Sequence, residues 1–183
     1  MVVVSCFNPA HAGNSADDHN DLWVALESAG VSVHVNDPEV CNEKWGGGFY
    51  VSNPLTGQAI MLICQNYGEG AGLDNQVTWT PNDYDTLRHE AHHVIQDCIG
   101  GELADRDLDP LFEDPDRHRQ FVLSSLSPDK IEWIIKNYGE MGANAETIIL
   151  ELEAFAVAED VPASKIAEGV RQMCGTKNKL TFD

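Results

Sequence analysis

The hydrophobic pattern predicts two amphipathic helices in the first hundred residues. In residues 17–29, apolar side chains recur at spacings of three and four residues, which is the period of one helix face. They are Leu22, Trp23, Ala25, Leu26 and Ala29, and Gly30 can end that helix. The same period returns in residues 85–98, whose apolar face consists of Leu87, Ala91, Val94, Ile95 and Cys98. Asn82 or Asp83 can cap this second helix, and Gly100 and Gly101 can end it.

Three strands are predicted between these helices. Valines alternate with polar residues in residues 31–35, so His34 faces away from them and is expected to be solvated. Residues 49–52 and 59–64 follow as strands, joined by Asn53-Pro54-Leu55-Thr56-Gly57, a composition typical of a hairpin turn. Residues 59–64 are apolar without alternation, which indicates a central strand.

The remainder of the chain is predicted to be helical after an acidic loop at residues 102–116. Asp105, Asp107 and Asp109 suggest a Ca²⁺ loop, but Pro110 and Asp116 stand where an EF-hand needs glycine and glutamate, so a solvated acidic run is expected. Helices are predicted over residues 115–124, 128–138 with Ser127 as cap, 144–159 and 162–174. The fold class is therefore α+β: a small mixed or antiparallel sheet with a backing helix, followed by a helical lobe. We expect one domain, residues 1–183, with lobes at 1–100 and 101–183.

Composition narrows the choice of partners. With 11 basic and 30 acidic residues the net charge is −19, which argues against nucleic acid, since phosphate binding needs a basic surface. Apolar runs are too short for a membrane span and no secretion signal is recognised, so a cytoplasmic location is predicted. The five cysteines contain no close CxxC pair, and a disulfide among Cys41, Cys64 and Cys98 is left open. Cys98 lies on the apolar face of the second helix, where we expect a buried thiol.

One motif carries the candidate chemistry: His89-Glu90-x-x-His93 within the second helix. Imidazoles four residues apart lie on the same helix face and can bind one tetrahedral Zn²⁺. Glu90 then points beside the metal, where it can accept a proton from water. His92 falls on neither the metal face nor the apolar face, so we expect it to face solvent.

This motif and its setting resemble the zincin metallopeptidases. The resemblance implies a zinc cofactor, Glu90 as general base, and a peptide or protein substrate. It also implies that an edge strand, here residues 49–52, lines the cleft and binds substrate as an added strand. The alternative is a catalytically silent zincin-like module that keeps the metal site for binding or stability.

A zinc site of this kind needs a third protein ligand. Metzincins use a histidine that follows a glycine, but the corresponding positions here hold Gln96 and Ile99, which excludes that class. The gluzincin pattern, with a glutamate from a later helix, remains. Glu153 is preferred because its helical neighbours are apolar, so it would be buried without a partner unless a cation compensated it. Glu151 is the second choice.

Glu153-Ala154-Phe155-Ala156 resembles the Glu-Gly-Phe-Ala of one gluzincin aminopeptidase family, in which that glutamate binds zinc. The Gly-x-Met-Glu-Asn element of that family is absent, so exopeptidase action is not implied. Val157 stands where thermolysin-like enzymes have an aspartate, so the groups around the ligands must differ. The resemblance also implies a donor to the oxyanion, for which Tyr138, Tyr84 and His118 are candidates, with Tyr138 preferred. Asp97 could orient a ligand imidazole or lie at a solvated helix end.

Overall fold

The computed structural model describes residues 15–41, 47–65 and 78–175. Six helices and three strands lie in these ranges: α1 Ala16–Ala29, β1 Val31–Val35, β2 Gly47–Asn53, β3 Gln58–Cys64, α2 Pro81–Gly100, α3 Pro115–Ser125, α4 Pro128–Glu140, α5 Ala145–Asp160 and α6 Ala163–Cys174. The predicted α+β class is confirmed. Cys6, one of the five cysteines, lies outside the described residues.

The sheet is mixed, with strand order β1-β3-β2. β1 runs parallel to β3, and β2 pairs antiparallel with β3 so that Val51 lies opposite Ile60. The predicted hairpin and the central position of β3 are both confirmed. His34 on β1 is exposed, as predicted.

Local capping signals account for where helices begin. Ser15 and Asp18 form a reciprocal capping box at α1, and Gly30 ends that helix with φ +100°. At α2 the cap is Thr80, which shares a capping box with Asp83; Asn82 and Asp83, the predicted caps, lie inside the helix. Pro81 explains the difference, because proline favours the first helical position and places the cap one residue before it.

Helix α2 lies at the centre of the molecule. Its apolar face packs into a core shared with β1, β3, α1 and α6, and every residue from Leu87 to Cys98 is buried. Helix α5 also packs against α2, and so does strand β2. Gly48 permits this approach, since an added Cβ would come within 2.7 Å of the Leu62 carbonyl oxygen and of the Thr86 methyl.

Two disulfides connect these elements. Cys41 bonds to Cys64 at the end of β3, and Cys98 of α2 bonds to Cys174 of α6. The expectation of a buried Cys98 thiol was therefore wrong, although its burial was predicted correctly. Within the three described ranges, no helix combines the length and apolar character needed to cross a bilayer.

In the described structure, the acidic segment after α2 contains no group of side chains that could hold a metal ion. Asp105 instead accepts backbone hydrogen bonds from Glu102 and Asp107 at 2.7 and 2.9 Å, and the three aspartates are exposed. This agrees with the predicted solvated run.

Candidate metal centre

Three ligand atoms from α2 and α5 converge at one point. The Nε2 atoms of His89 and His93 are 3.1 Å apart, and the Glu151 Oε2 atom lies 3.2 Å from the first and 3.6 Å from the second. These side chains form the only group in the described part of the chain that could hold a metal ion. The predicted His89–His93 pair is thus brought together, with a carboxylate from a later helix beside it.

That carboxylate belongs to Glu151, so the preference for Glu153 as third ligand was wrong. Two residues correspond to about 200° around a helix axis, so the two side chains leave α5 in different directions. The Glu153 Oε1 atom lies 2.7 Å from His92 Nε2 and accepts a hydrogen bond from the Gln96 amide at 3.0 Å. Glu153 is buried as predicted, but hydrogen bonds rather than a metal compensate its charge.

Backbone groups of the loop before α3 complete the surroundings of Glu153. The backbone N–H groups of Leu111 and Phe112 donate to its two oxygens at 2.9 and 3.4 Å. Burial raises the pKa of this carboxyl, but the hydrogen bonds, chiefly that with His92, outweigh burial and lower the pKa below its usual value. His92 is only 1% exposed, so the prediction that it faces solvent was also wrong.

Gln96 determines the orientation of one ligand ring. Its amide nitrogen donates to Glu153 and to the Leu150 carbonyl oxygen at 3.1 Å, so its own oxygen must face His93. The His93 Nδ1–H donates to that oxygen at 2.7 Å, which leaves the Nε2 lone pair directed at the other two ligand atoms. Sequence reasoning missed Gln96, although its position three residues after His93 on the same face was an available signal.

Asp97, the residue predicted either to orient a ligand or to be solvated, does neither. It is fully buried and accepts hydrogen bonds from the Tyr50 hydroxyl and from the Ala104 backbone N–H. Its role is to connect α2 with β2 and with the following loop.

Electrostatics within the cluster are strongly coupled. Burial alone would raise the pKa of Glu151, but the rings of His89 and His93 hold it well below its usual range. Burial lowers the pKa of His89 to about 4, whereas the pKa of His93 rises to about 9 because Glu151, Glu90 and Gln96 outweigh its desolvation. A carboxylate that favours positive charge at this point is suited to a cation.

Glu90 lies beside the cluster without belonging to it. It lines a cavity of about 450 Å³ together with His89 and Tyr138. Burial raises the pKa of Glu90 to about 7, and the opposing contributions from His93 and from a Tyr50 backbone hydrogen bond are smaller. A carboxyl group with a pKa near neutrality is suited to proton transfer.

Of the three predicted oxyanion donors, only Tyr138 lies at this cavity. Burial first, and then the neighbouring charge of Glu151, raises the pKa of its hydroxyl, so the hydroxyl keeps its proton at neutral pH and can donate a hydrogen bond. Tyr84 lines a different cavity of about 510 Å³, where it stacks on Trp79. His118, on α3, does not line this cavity, and its Nε2 atom lies 3.7 Å from Glu153 Oε2.

The edge of the sheet contributes one wall of the cavity. Gly47 and Gly48 of β2 line it, together with Trp133 of α4 and Phe155 of α5. β2 has β3 as its only neighbour in the described sheet, but its outer edge is partly occupied, since the Tyr50 backbone hydrogen-bonds to Glu90 and the Ser52 carbonyl oxygen accepts a hydrogen bond from Arg106 Nε–H at 2.9 Å. The strand predicted to line the cleft, residues 49–52, lies within β2, but the residues of β2 that line the cavity are Gly47 and Gly48.

Comparison of the chain with protein-family models, with curated proteins and with solved structures found no match. Any function assigned to the site therefore depends on its own geometry and chemistry.

Proposed function

We propose that this protein is a zinc-dependent peptidase of the zincin type, with Glu151 rather than Glu153 as the third ligand. The observation that carries the proposal is the convergence of His89, His93 and Glu151, with Glu90 buried beside them at a cavity. A structural zinc site prefers four protein ligands, whereas three ligands and an adjacent carboxyl group are typical of a hydrolytic site.

The donor set fits zinc. Two ligand atoms that are each about 2.0–2.1 Å from a tetrahedral ion lie roughly 3.3–3.4 Å from one another. The three separations, 3.1, 3.2 and 3.6 Å, lie close to that value. In addition, the Glu151 Oε2 atom is buried and accepts no hydrogen bond of normal geometry within the described residues, although the two imidazole Nε2 atoms lie close to it. A cation would satisfy this atom.

Each residue at the cavity then has a defined task. A zinc ion held there supplies Lewis acidity, which makes a water molecule acidic enough to lose a proton near neutral pH. Glu90 accepts that proton as the water attacks the peptide carbonyl, and later delivers it to the leaving amine. The Tyr138 hydroxyl donates a hydrogen bond to the oxygen that gains negative charge.

Glu90→Gln tests this proposal. The variant keeps the size of the side chain but cannot accept the proton, so we expect parent-like zinc content and a fall in turnover of about 10²–10⁴-fold. Zinc is measured by metal analysis, and cleavage by digestion of a random peptide mixture with and without chelator. Glu132→Gln, on the exposed surface of α4, is the control and should cleave like the parent.

Two results would contradict the proposal. One is a zinc-loaded parent that cleaves no peptide in the mixture, which would favour the silent binding module. The other is a Glu90→Gln variant with the parent rate, which would remove Glu90 from proton transfer.

The cytoplasmic location stays a prediction. Two disulfides are more typical of proteins in oxidising surroundings, and they weigh against it.

A further inference from the structure

Lys130 occupies a defined position on the wall of the candidate cleft. It lies in the first turn of α4, where its backbone N–H donates to the Ser127 hydroxyl at 3.2 Å. Its Nζ atom is 4.7 Å from the ring centre of Trp133 and also 4.7 Å from that of Phe155, which belongs to α5. The ammonium group is thus located by rings from two helices, since each ring face attracts a cation.

Lys130 is close to the metal ligands. The Phe155 ring centre is 4.3 Å from that of His89. The steps of 4.7 and 4.3 Å, placed end to end, put the ammonium at most about 9 Å from the His89 ring. One extended residue spans about 3.3–3.6 Å, so this upper limit corresponds to between two and three residues of an extended peptide.

The charge of Lys130 contrasts with the rest of the cavity. Among the described residues that line it, Lys130 is the only lysine or arginine, whereas Asp85, Glu90 and Glu159 are acidic. No carboxylate of the described ranges lies within ion-pair distance of its ammonium. Among these side chains Lys130 alone attracts an anionic group of a substrate, and the proposed metal ion is the other positive charge at the cavity.

We propose that Lys130 binds a carboxylate of the substrate, so that the preferred substrates carry a negative charge within about three residues of the scissile bond. This inference rests on the proposed peptidase function and specifies its substrate class. The carboxylate can be an Asp or Glu side chain or the free C-terminus of the peptide, because an ammonium group makes the same charge-assisted hydrogen bond to either.

The test compares peptides that differ only at one position near the cleavage site, occupied by Glu, Gln or Lys, each with a free or an amidated C-terminus. With the zinc-loaded full chain, kcat/KM should be at least about tenfold higher for the carboxylate-bearing peptide than for its neutral counterpart. A preference that disappears on amidation identifies the C-terminus as the source. A preference that survives amidation identifies the side chain.

Substitutions at Lys130 assign the preference to this residue. Lys130→Gln should reduce the ratio of kcat/KM for the carboxylate peptide to kcat/KM for its neutral counterpart to about one. Lys130→Arg should largely retain the preference, and Lys130→Glu should shift it toward the Lys peptide. Lys136→Gln, on the same helix but away from the cavity, is the matched control and should keep the parent preference. Equal rates for charged and neutral peptides, or an unchanged preference in Lys130→Gln, would overturn the inference.

A binding measurement separates this inference from the peptidase proposal. Calorimetric titration of zinc-loaded Glu90→Gln with the same peptides measures affinity without turnover. The carboxylate peptides should bind at least about tenfold more tightly, and Lys130→Gln in this background should remove the difference. This result would support the role of Lys130 even if the parent cleaved nothing, and equal affinities for all peptides would overturn it.

Discussion

Substitution of Glu151 and of Glu153, one at a time by glutamine, should separate metal binding from folding stability. Glu151 contributes one of the three atoms that could hold a metal ion. Zinc binding to four-ligand sites is worth about 10–16 kcal/mol, or roughly 2.5–4 kcal/mol for each ligand. With about 1.4 kcal/mol for each factor of ten, Glu151→Gln should raise the zinc Kd roughly 10²–10³-fold.

Glu153→Gln should have the opposite profile. Its side chain is 0% exposed and reaches the ligand His93 only through Gln96, so the zinc Kd should rise by no more than about tenfold. The substitution leaves His92 without its charged partner and puts an amide N–H₂ group where carboxylate oxygens accept backbone hydrogen bonds. Burial lowers the pKa of His92, so the substitution leaves no unpaired charge. Hydrogen bonds to a charged group contribute about 1.5–3 kcal/mol each, and we expect a loss of stability of about 2–3 kcal/mol.

Both quantities can be measured on the same proteins. Competition with a chromophoric chelator at pH 7.5 gives the zinc Kd, and urea denaturation in the presence of chelator gives the free energy of unfolding without metal. Glu146→Gln, exposed on the same helix, is the control for a lost negative charge. If Glu153→Gln loses zinc as severely as Glu151→Gln, or if Glu151→Gln keeps the parent Kd, the assignment of the third ligand is refuted.

Two further predictions concern the stability of the fold. The Cys98–Cys174 disulfide closes a loop of 76 residues and the Cys41–Cys64 disulfide a loop of 23. The chain-entropy relation predicts that they stabilise the fold by about 4.5 and 3.4 kcal/mol, respectively. In urea denaturation, the double variant Cys98→Ala/Cys174→Ala should therefore lose more stability than Cys41→Ala/Cys64→Ala, and the reverse order would contradict this. His19 is buried, which lowers its pKa, and its Nε2 lies 2.8 Å from Arg88 Nη1, a contact that needs an unprotonated nitrogen. The contribution of His19 to stability is therefore present above the pKa of histidine in the unfolded chain, about 6.5, and is lost as pH falls below that value. Between pH 7.5 and 5 the parent should lose more stability than His19→Gln, while exposed His34→Gln should follow the parent, and equal slopes for parent and His19→Gln would refute the argument.

The parts of the fold that could be predicted from sequence are those with a local physical cause. Alternation gave β1, the hairpin composition gave the β2–β3 turn, and the spacing of His89 and His93 placed both rings on one helix face. The third ligand could not be obtained in this way. The choice between two carboxylates on α5 depends on the rotation of that helix about its axis, which long-range packing determines.

The error at Glu153 has a specific origin. Its burial follows from its apolar helical neighbours, and that part of the prediction was correct. The next step assumed that a buried carboxylate in this chain requires a metal ion. Its actual donors come from His92, from Gln96 and from the backbone at residues 111 and 112, which are 61, 57, 42 and 41 positions away in sequence. Hydrogen-bond donors that are so far away leave no periodic signal around Glu153.

The two ligand imidazoles are held by different means. The His93 ring is fixed by the chain of hydrogen bonds through Gln96 to Glu153, and Glu153 also binds the backbone before α3. The His89 Nδ1 atom is buried and has no hydrogen-bond partner within the described residues, and its ring packs against Phe155. Because Phe155 also contacts the Lys130 ammonium, the same ring supports a metal ligand and the proposed substrate-binding residue. A substrate that moved Lys130 would thus act directly on the packing of His89, whereas His93 would be affected only through changes in α5.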